Sequence, residues 1–312
     1  MKVNIITPVR VGGPYYSGEN LAKILKDREI TATWAHHIIR VLSSPIWQNA
    51  DVVHSMSVPI TYRFWKNPLI LTVRGEYPIE KNLWRSFFPL AIKKADIVTT
   101  PSHFLKERLG LKDAIVIPNA IFPEKFKPVI HSEKDTISLV TVTKFFFEDK
   151  ARGVLDILKV LDTVPEAVAG RMRYKVVGGG PFLNQVKREA QKYRVAVEFT
   201  DMLQNPRAAL ESSDIFLYYS QHDNFPNILL EAMAYGLPIV TNSVGAVNEI
   251  IEDGKDGYIA PTGKAYLESL LNLMNNYDLR SKVGQNARRS VETKFDWSKI
   301  VDSYIEIYKK VL

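Results

Sequence analysis

The chain has 312 residues, 46% hydrophobic and 24% charged, with a formal net charge of +7. At about 100 to 200 residues per domain this length predicts two domains, and the composition excludes wholesale disorder and fibrous classes. No run reaches the ~18 to 20 uninterrupted apolar residues of a membrane-spanning helix, and the apolar stretch before Pro8 is too short for a signal-peptide core, so a cytoplasmic protein is expected. With no Cys and no His-Glu-x-x-His pattern among six His, disulfides, thiolate metal sites, a cysteine nucleophile and a dedicated zinc site are all set aside.

In chain order, short apolar runs predict strands at Val3–Ile6, Asp51–His54, Leu69–Val73, Ile97–Thr100 and Ala114–Ile117, with helices at Gly18–Asp27 and Leu83–Lys94. After a polar, proline-containing stretch from Pro123 to Asp135, further strands are expected at Ser138–Thr143, Tyr174–Val177, Val197–Thr200, Ile215–Tyr218, Pro238–Thr241 and Gly257–Ala260. Helical patterns between and after them cover Val154–Thr163, Phe182–Tyr193, Asn205–Ser212, Asn227–Tyr235, Ala246–Glu252, Tyr266–Asn275 and Arg280–Lys294. Such alternation reads as α/β, two doubly wound Rossmann-like domains facing across a cleft. The domains expected are 1–135, 136–294 and a closing segment 295–312, where Ile300, Tyr304, Ile307, Tyr308 and Val311 make one apolar helix face. Ligands of such sheets bind beyond the carboxyl ends of the strands.

The charge is unevenly placed. Residues 1–135 hold 19 Lys+Arg against 12 Asp+Glu, and residues 136–312 hold 22 of each. The excess marks either a surface facing something anionic, such as a membrane, a phosphorylated acceptor or nucleic acid, or a solvated basic face. Lys81 to Lys94 mixes Trp84, Phe87 and Phe88 with basic residues, and reads as a core helix ahead of a membrane-surface helix.

Two glycine clusters follow strands. Gly12-Gly13-Pro14 and Gly178-Gly179-Gly180-Pro181 each serve as a plain turn or let backbone amides meet a charged group. The second lacks the third glycine of the dinucleotide fingerprint, since Leu183 stands there; Glu198 keeps an oxidoreductase as the least favoured reading. The richest segment runs from Gln221 to Val240. Asp223 lies in a loop after a strand and Glu231 on the next helix, wedged between Leu229-Leu230 and Ala232-Met233. Carboxylates there can chelate sugar hydroxyls, with the amides of Asn224, Phe225, Asn227 and Ile228 beside them; the competing reading makes Asp223 a helix cap and Glu231 a solvated residue.

These segments resemble the glycosyltransferase family 4 group. The markers are Ile117-Pro118-Asn119-Ala120 with Phe126-Lys127-Pro128, Lys144 followed by Glu148-Asp149-Lys150 and Gly153, the glycines at 178–180, Ala234 to Val240, Val244-Gly245-Ala246 with Glu249, and Asp253-Gly254-Lys255-Asp256-Gly257. The resemblance covers nearly the whole chain and is densest from Ser138 to Pro261. It implies the GT-B fold and transfer of a sugar from a nucleotide-sugar donor, UDP- or GDP-linked, to a glycan, lipid-linked or small-molecule acceptor, as a retaining hexosyltransferase. It also implies no cofactor, no obligatory metal and no nucleic-acid partner. Lys144 and Lys150 would grip the donor diphosphate, Glu231 the ribose, and Asp223 the donor sugar, with Gly12, Gly13, Gly179, Asn224, Phe225, Asn227 and Ile228 lining the donor site.

Two positions depart from the family pattern. Asp223 stands where the first of two glutamates is usual, one methylene shorter, and Arg74 in Leu71-Thr72-Val73-Arg74-Gly75 replaces the usual histidine. An arginine is no general base at neutral pH, but it can stabilise a leaving phosphate or an anionic acceptor. A sugar-nucleotide epimerase or hydrolase of the same fold stands as an alternative, and because of these departures so does a catalytically silent carbohydrate- or membrane-binding relative. The basic N-terminal half is the surface expected for any peripheral contact with an anionic membrane.

Overall fold

A computed structural model describes residues 1–7, 13–36, 50–56, 58, 67–78, 84–130, 132–201 and 206–312. The chain divides into two compact units, 1–122 with 294–312, and 123–293. Each is built on a six-stranded sheet in which every pairing is parallel. The doubly wound α/β class expected from the alternation of apolar runs and helical patterns is therefore present in both.

In the first unit the strands are β1 (Lys2–Thr7), β2 (Thr31–His36), β3 (Val52–Ser55), β4 (Leu69–Thr72), β5 (Ile97–Thr100) and β6 (Ile115–Val116), in the order β2-β1-β3-β4-β5-β6. The described helices are α1 (Gly13–Asp27), α2 (Trp84–Lys94) and α3 (His103–Arg108), joined by a C-terminal helix, α12 (Trp297–Val311). β2 and α3 escape the sequence reading. Thr31-Ala32-Thr33-Trp34-Ala35-His36 offers few aliphatic side chains and lies at the sheet edge, and α3 is a short helix started by Ser102, whose Oγ accepts from Leu105 N at 3.1 Å. α1 begins five residues earlier than expected, so Gly13 and Pro14 form its first turn. Gly12 and Lys81 to Leu83 lie outside the described residues.

α12 carries much of this unit's core. Its Asp296 cap accepts from Ser298 N at 2.8 Å, and Ile121 N and Trp297 N exchange bonds with the carbonyls of Phe295 and Ile121, both at 2.9 Å. Trp297, Tyr304 and Tyr308 stack in sequence along the helix and are buried with Leu21, Leu25, Val52 and Ile70. At about 25 cal/mol per Å² of apolar area and ~150 to 250 Å² per ring, each of these aromatics contributes several kcal/mol of gross burial energy. On α2, Phe88 and Ala91 are buried with Leu69, Leu71 and Tyr77, and Phe87 packs against the same cluster, which is the core-helix arrangement; Arg85, Lys93 and Lys94 stay exposed. No described helix is long and apolar enough to cross a membrane.

The second unit contains β7 (Ile137–Val142), β8 (Met172–Val177), β9 (Val197–Thr200), β10 (Ile215–Leu217), β11 (Ile239–Thr241) and β12 (Tyr258–Ile259), ordered β12-β11-β10-β7-β8-β9. Its helices are α4 (Glu148–Leu161), α5 (Glu166–Ala169), α6 (Leu183–Ala190), α7 (Arg207–Glu211), α8 (Asn227–Ala234), α9 (Val247–Ile250), α10 (Gly263–Asn275) and α11 (Tyr277–Lys294). Asn205, where a helix start was expected, lies outside the described residues.

The division between the units falls at 122/123 rather than 135/136, because residues 123–130 are anchored in the second unit. Phe126 meets Tyr235 edge-on with centroids 5.3 Å apart, Val129 N donates to Tyr235 O at 2.7 Å, and Arg288 Nη1 donates to Phe126 O at 3.0 Å. The polar composition that marked a linker conceals this aromatic anchor.

α4 lies against the loop after β10 so closely that a Cβ at Gly153 would fall 1.9 Å from the Tyr219 carbonyl oxygen. Gly153→Ala is therefore expected to destabilise the protein by about 1 to 3 kcal/mol, the usual cost of overpacking, as measured by urea unfolding. A variant as stable as the parent would show that α4 does not press on that loop.

Candidate active site

In the second sheet the chain order reverses between β7 and β10, which pair directly while β8 continues on the far side of β7. A reversal of this kind opens a crevice at the carboxyl ends of the two strands. The loop after β7 carries Lys144 and leads into α4 with Lys150; the loop after β10 carries Tyr218 and Asp223 and leads into α8 with Glu231.

Lys150 Nζ donates to Tyr218 Oη at 2.6 Å and to Asp223 Oδ2, and Tyr218 Oη donates to the same carboxylate oxygen at 2.6 Å. The ammonium also lies 5.0 Å from the Tyr218 ring centroid. The Lys150 and Asp223 side chains are 17% and 20% exposed, so the pair is too desolvated to behave as a surface ion pair and still open enough to meet a ligand. Burial and then the Asp223 charge push the Tyr218 hydroxyl well up, which keeps it protonated and donating.

Backbone contacts hold this cluster. Gly153 admits Tyr219, as described above. Gly245, at φ +56°, lies where a Cβ would be 1.9 Å from the Asp223 carbonyl oxygen, and Ala246 N donates to Asn224 O at 3.1 Å. Gly179 accepts from Phe145 N at 3.0 Å and Phe182 N donates to Phe145 O at 3.1 Å, so the glycine cluster braces the loop that presents Lys144. Lys144 itself is exposed.

The N-cap of α8 is Pro226, with no side-chain cap bond, so Asp223 is not the helix cap; its carboxylate turns to Lys150 and Tyr218. Phe225 and Pro226 are buried, Asn224, Asn227 and Ile228 half-buried, and the last two form the first turn of α8 with its positive dipole end. Glu231 is half-buried between Leu230 and Ala232, each fully buried, which departs from a solvated face. Burial pushes its carboxyl pKa up, opposed by the charges of Arg207 and then Lys144. Arg207, which sequence reasoning missed, also lies over the Phe126 ring, its guanidinium carbon 5.0 Å from the centroid. Tyr218 was missed as well, although a tyrosine directly after a strand at a sheet reversal is a readable signal.

Arg74 and Gly13 belong to the first unit. Arg74 is half-buried just past β4, where Nη1 donates to Asn119 Oδ1 and Nη2 lies 3.9 Å from Met56 Sδ. Burial pushes its pKa down, with Tyr304 and Tyr77 acting the other way. Glu198, considered as a ribose carboxylate, is 60% exposed and paired with Lys175 on the neighbouring strand at 3.2 Å. Among the described residues no three His, Asp or Glu gather as a metal site.

Comparison with known proteins gives three further findings. The family described as glycosyl transferases group 1 matches residues 124–290. A relative from Bacillus anthracis, N-acetyl-alpha-D-glucosaminyl L-malate synthase, is 29% identical over 78% of this chain and 66% of its own length, so the match spans just under two thirds of that relative. Two crystal structures share the fold over nearly the whole chain. One is a glycosyltransferase from Rickettsia africae ESF-5, with TM-score 0.80, 17% identity and coverage of 99% of this chain and 98% of that one. The other is an Anabaena protein in complex with UDP-glucose, with TM-score 0.76, 14% identity and coverage of 99% and 100%.

Because the Glu231 carboxyl pKa is raised in the folded protein, its ionised form costs stability as pH rises through that value, and the cost is absent once pH falls below the ordinary carboxylate range. Glu231→Gln is accordingly expected to raise the melting temperature of the ligand-free protein at pH 7 and to lose that advantage on acidification below the ordinary range. A melting temperature lowered at pH 7 would contradict this account.

Proposed function

As the chain belongs to the glycosyl transferases group 1 family, we propose that it transfers a hexose from a nucleoside diphosphate to a hydroxyl-bearing acceptor, with retention at the anomeric carbon. The observation that carries this reading is the Lys150–Tyr218–Asp223 cluster at the β7/β10 reversal, with Lys144 and Glu231 on the same two chain segments. As the bond between the anomeric carbon and the terminal phosphate oxygen breaks, negative charge grows on the departing diphosphate. Lys150, preorganised by its bonds to Tyr218 and Asp223, and the exposed Lys144 neutralise that charge. The acceptor oxygen takes the anomeric carbon, and its proton leaves on the departing phosphate.

Asp223 and Tyr218 fix the Lys150 ammonium before the donor arrives, and Asp223 Oδ1 accepts from a sugar hydroxyl. Glu231, whose ionised form is costly in the free protein, regains compensation when ribose hydroxyls donate to it. The Anabaena structure holds UDP-glucose, which makes a UDP-hexose the first donor to test. The Bacillus anthracis relative is named for L-malate, a small hydroxy acid. An anionic acceptor of that kind suits Arg74 and the basic residues 1–135.

A thermal-shift panel of UDP, GDP and ADP sugars tests the donor class; a well-folded sample that responds to none of them would sink the proposal. Lys150→Ala and Glu231→Ala should each cost about 1.5 to 3 kcal/mol in donor binding or in kcat/KM, the scale of a charge-assisted hydrogen bond. Full activity in both would show the site to be elsewhere, and turnover of donor without acceptor would identify a hydrolase instead.

A further inference from the structure

At the opposite ends of the same strands lies a cavity of about 310 Å³. Its wall includes Glu133 and Asp135 just before β7, Arg171 just before β8, Asn275 at the end of α10, and Tyr277 and Arg280 in the first turns of α11. β7 has six residues, so at ~3.3 Å per residue this cavity is about 20 Å from the Lys150 cluster.

Arg280 is 2% exposed, an unusual place for a guanidinium. Its Nη1 donates to the Leu273 and Met274 carbonyls at 2.8 and 3.3 Å, and its Nε has no hydrogen-bond partner. Arg171 spends Nε on Asp135 O at 3.0 Å and Nη1 on Asn275 Oδ1 at 3.2 Å. Among the described residues neither arginine forms a salt bridge. The nearby acid that would serve best, Asp214, is already committed to Lys134 Nζ at 2.8 Å and to Ser138 N at 2.7 Å.

Burial pushes the Arg280 pKa down, the charges of Asp214 and then Tyr277 act against it, and the Arg171 charge acts with it ahead of an opposing Glu133. Among the described residues, two guanidiniums thus share this wall with carboxylates near them and none bonded to either. The positive end of α11, an 18-residue helix, adds to the field; Asn276 Oδ1 accepts from Leu279 N at 2.9 Å and caps it. Glu133 and Asp135 are exposed, acceptors of the kind that receive hydroxyl groups.

We infer that this cavity is a second ligand site that takes a small hydroxylated phosphate ester, with the phosphate on Arg171 and Arg280 and the hydroxyls on Glu133, Asp135 and Asn275. A ligand held there ties residues 133–135 to the start of β8 and to α10 and α11, and so acts on the second unit from the far end of the sheet that carries Lys150.

Calorimetric titration of the full chain with glycerol 3-phosphate tests this, with inorganic phosphate, glycerol and sodium chloride at matched ionic strength as comparisons. The ester should bind with one-to-one stoichiometry and more tightly than inorganic phosphate. Arg171→Gln and Arg280→Lys should each weaken it at least about tenfold, the scale of losing a bidentate charge-assisted contact, with circular dichroism confirming the fold. Lys150→Ala should leave it unchanged. The inference is overturned if the ester gives no heat, if inorganic phosphate binds equally well, if both arginine variants bind like the parent, or if Lys150→Ala abolishes binding and so returns the ligand to the donor site.

Discussion

The arrangement of the second unit depends on one ammonium group being held between a phenol and a carboxylate that come from a different loop. Lys150 reaches Tyr218 and Asp223 only because α4 can press against the backbone at Tyr219, and Asp223 keeps its place only because Gly245 lets the chain pass its carbonyl. Two missing Cβ atoms thus set the distance between a cation and an anion, and in a partly desolvated setting that distance decides whether the pair is worth little or much. Tyr218 adds a neutral donor whose own ionisation is suppressed by burial and then by the Asp223 charge.

Around that cluster the helix α8 is packed tightly on one face. α8 presents Leu229, Leu230, Ala232 and Met233 to the core, which fixes the rotation of the helix and leaves Glu231 only one way to face. The carboxylate is held in a setting that disfavours its charge, with Arg207 and then Lys144 opposing that effect. Phe126 and Arg288 fasten the start of the unit to the end of α8.

The first unit solves a different problem. Its C-terminal helix supplies the large aromatics of the core, and Tyr308 also enters a buried polar chain: His54 Nδ1 meets Tyr308 Oη at 2.6 Å, His54 Nε2 meets Thr72 Oγ1 at 2.7 Å, and Thr72 meets Thr99 at 2.7 Å. Burial, and then the Arg74 charge, lower the His54 pKa to about 3, so this histidine is a neutral structural link. Arg74, two residues beyond Thr72, is oriented by Asn119 from the Ile117-Pro118-Asn119-Ala120 segment. The motif that resembles the family's asparagine turn therefore positions the residue that departs from the family's histidine.

The sequence by itself determined the strand runs and helix stripes in both halves, because burial against a sheet leaves a period in the apolar residues that needs no partner to be seen. It also determined the candidates Lys144, Lys150, Asp223 and Glu231, whose types and spacing are legible along one chain. Only the tertiary structure decided that β2 exists at an edge, where weak apolar content hides it, and that residues 123–130 belong with the second unit, because their anchor is Tyr235, more than a hundred residues away. It alone removed the competing helix-cap reading of Asp223, made that residue a lysine partner and brought Tyr218 between them, since those contacts join residues 68 and 73 positions apart across a sheet reversal that linear spacing cannot express.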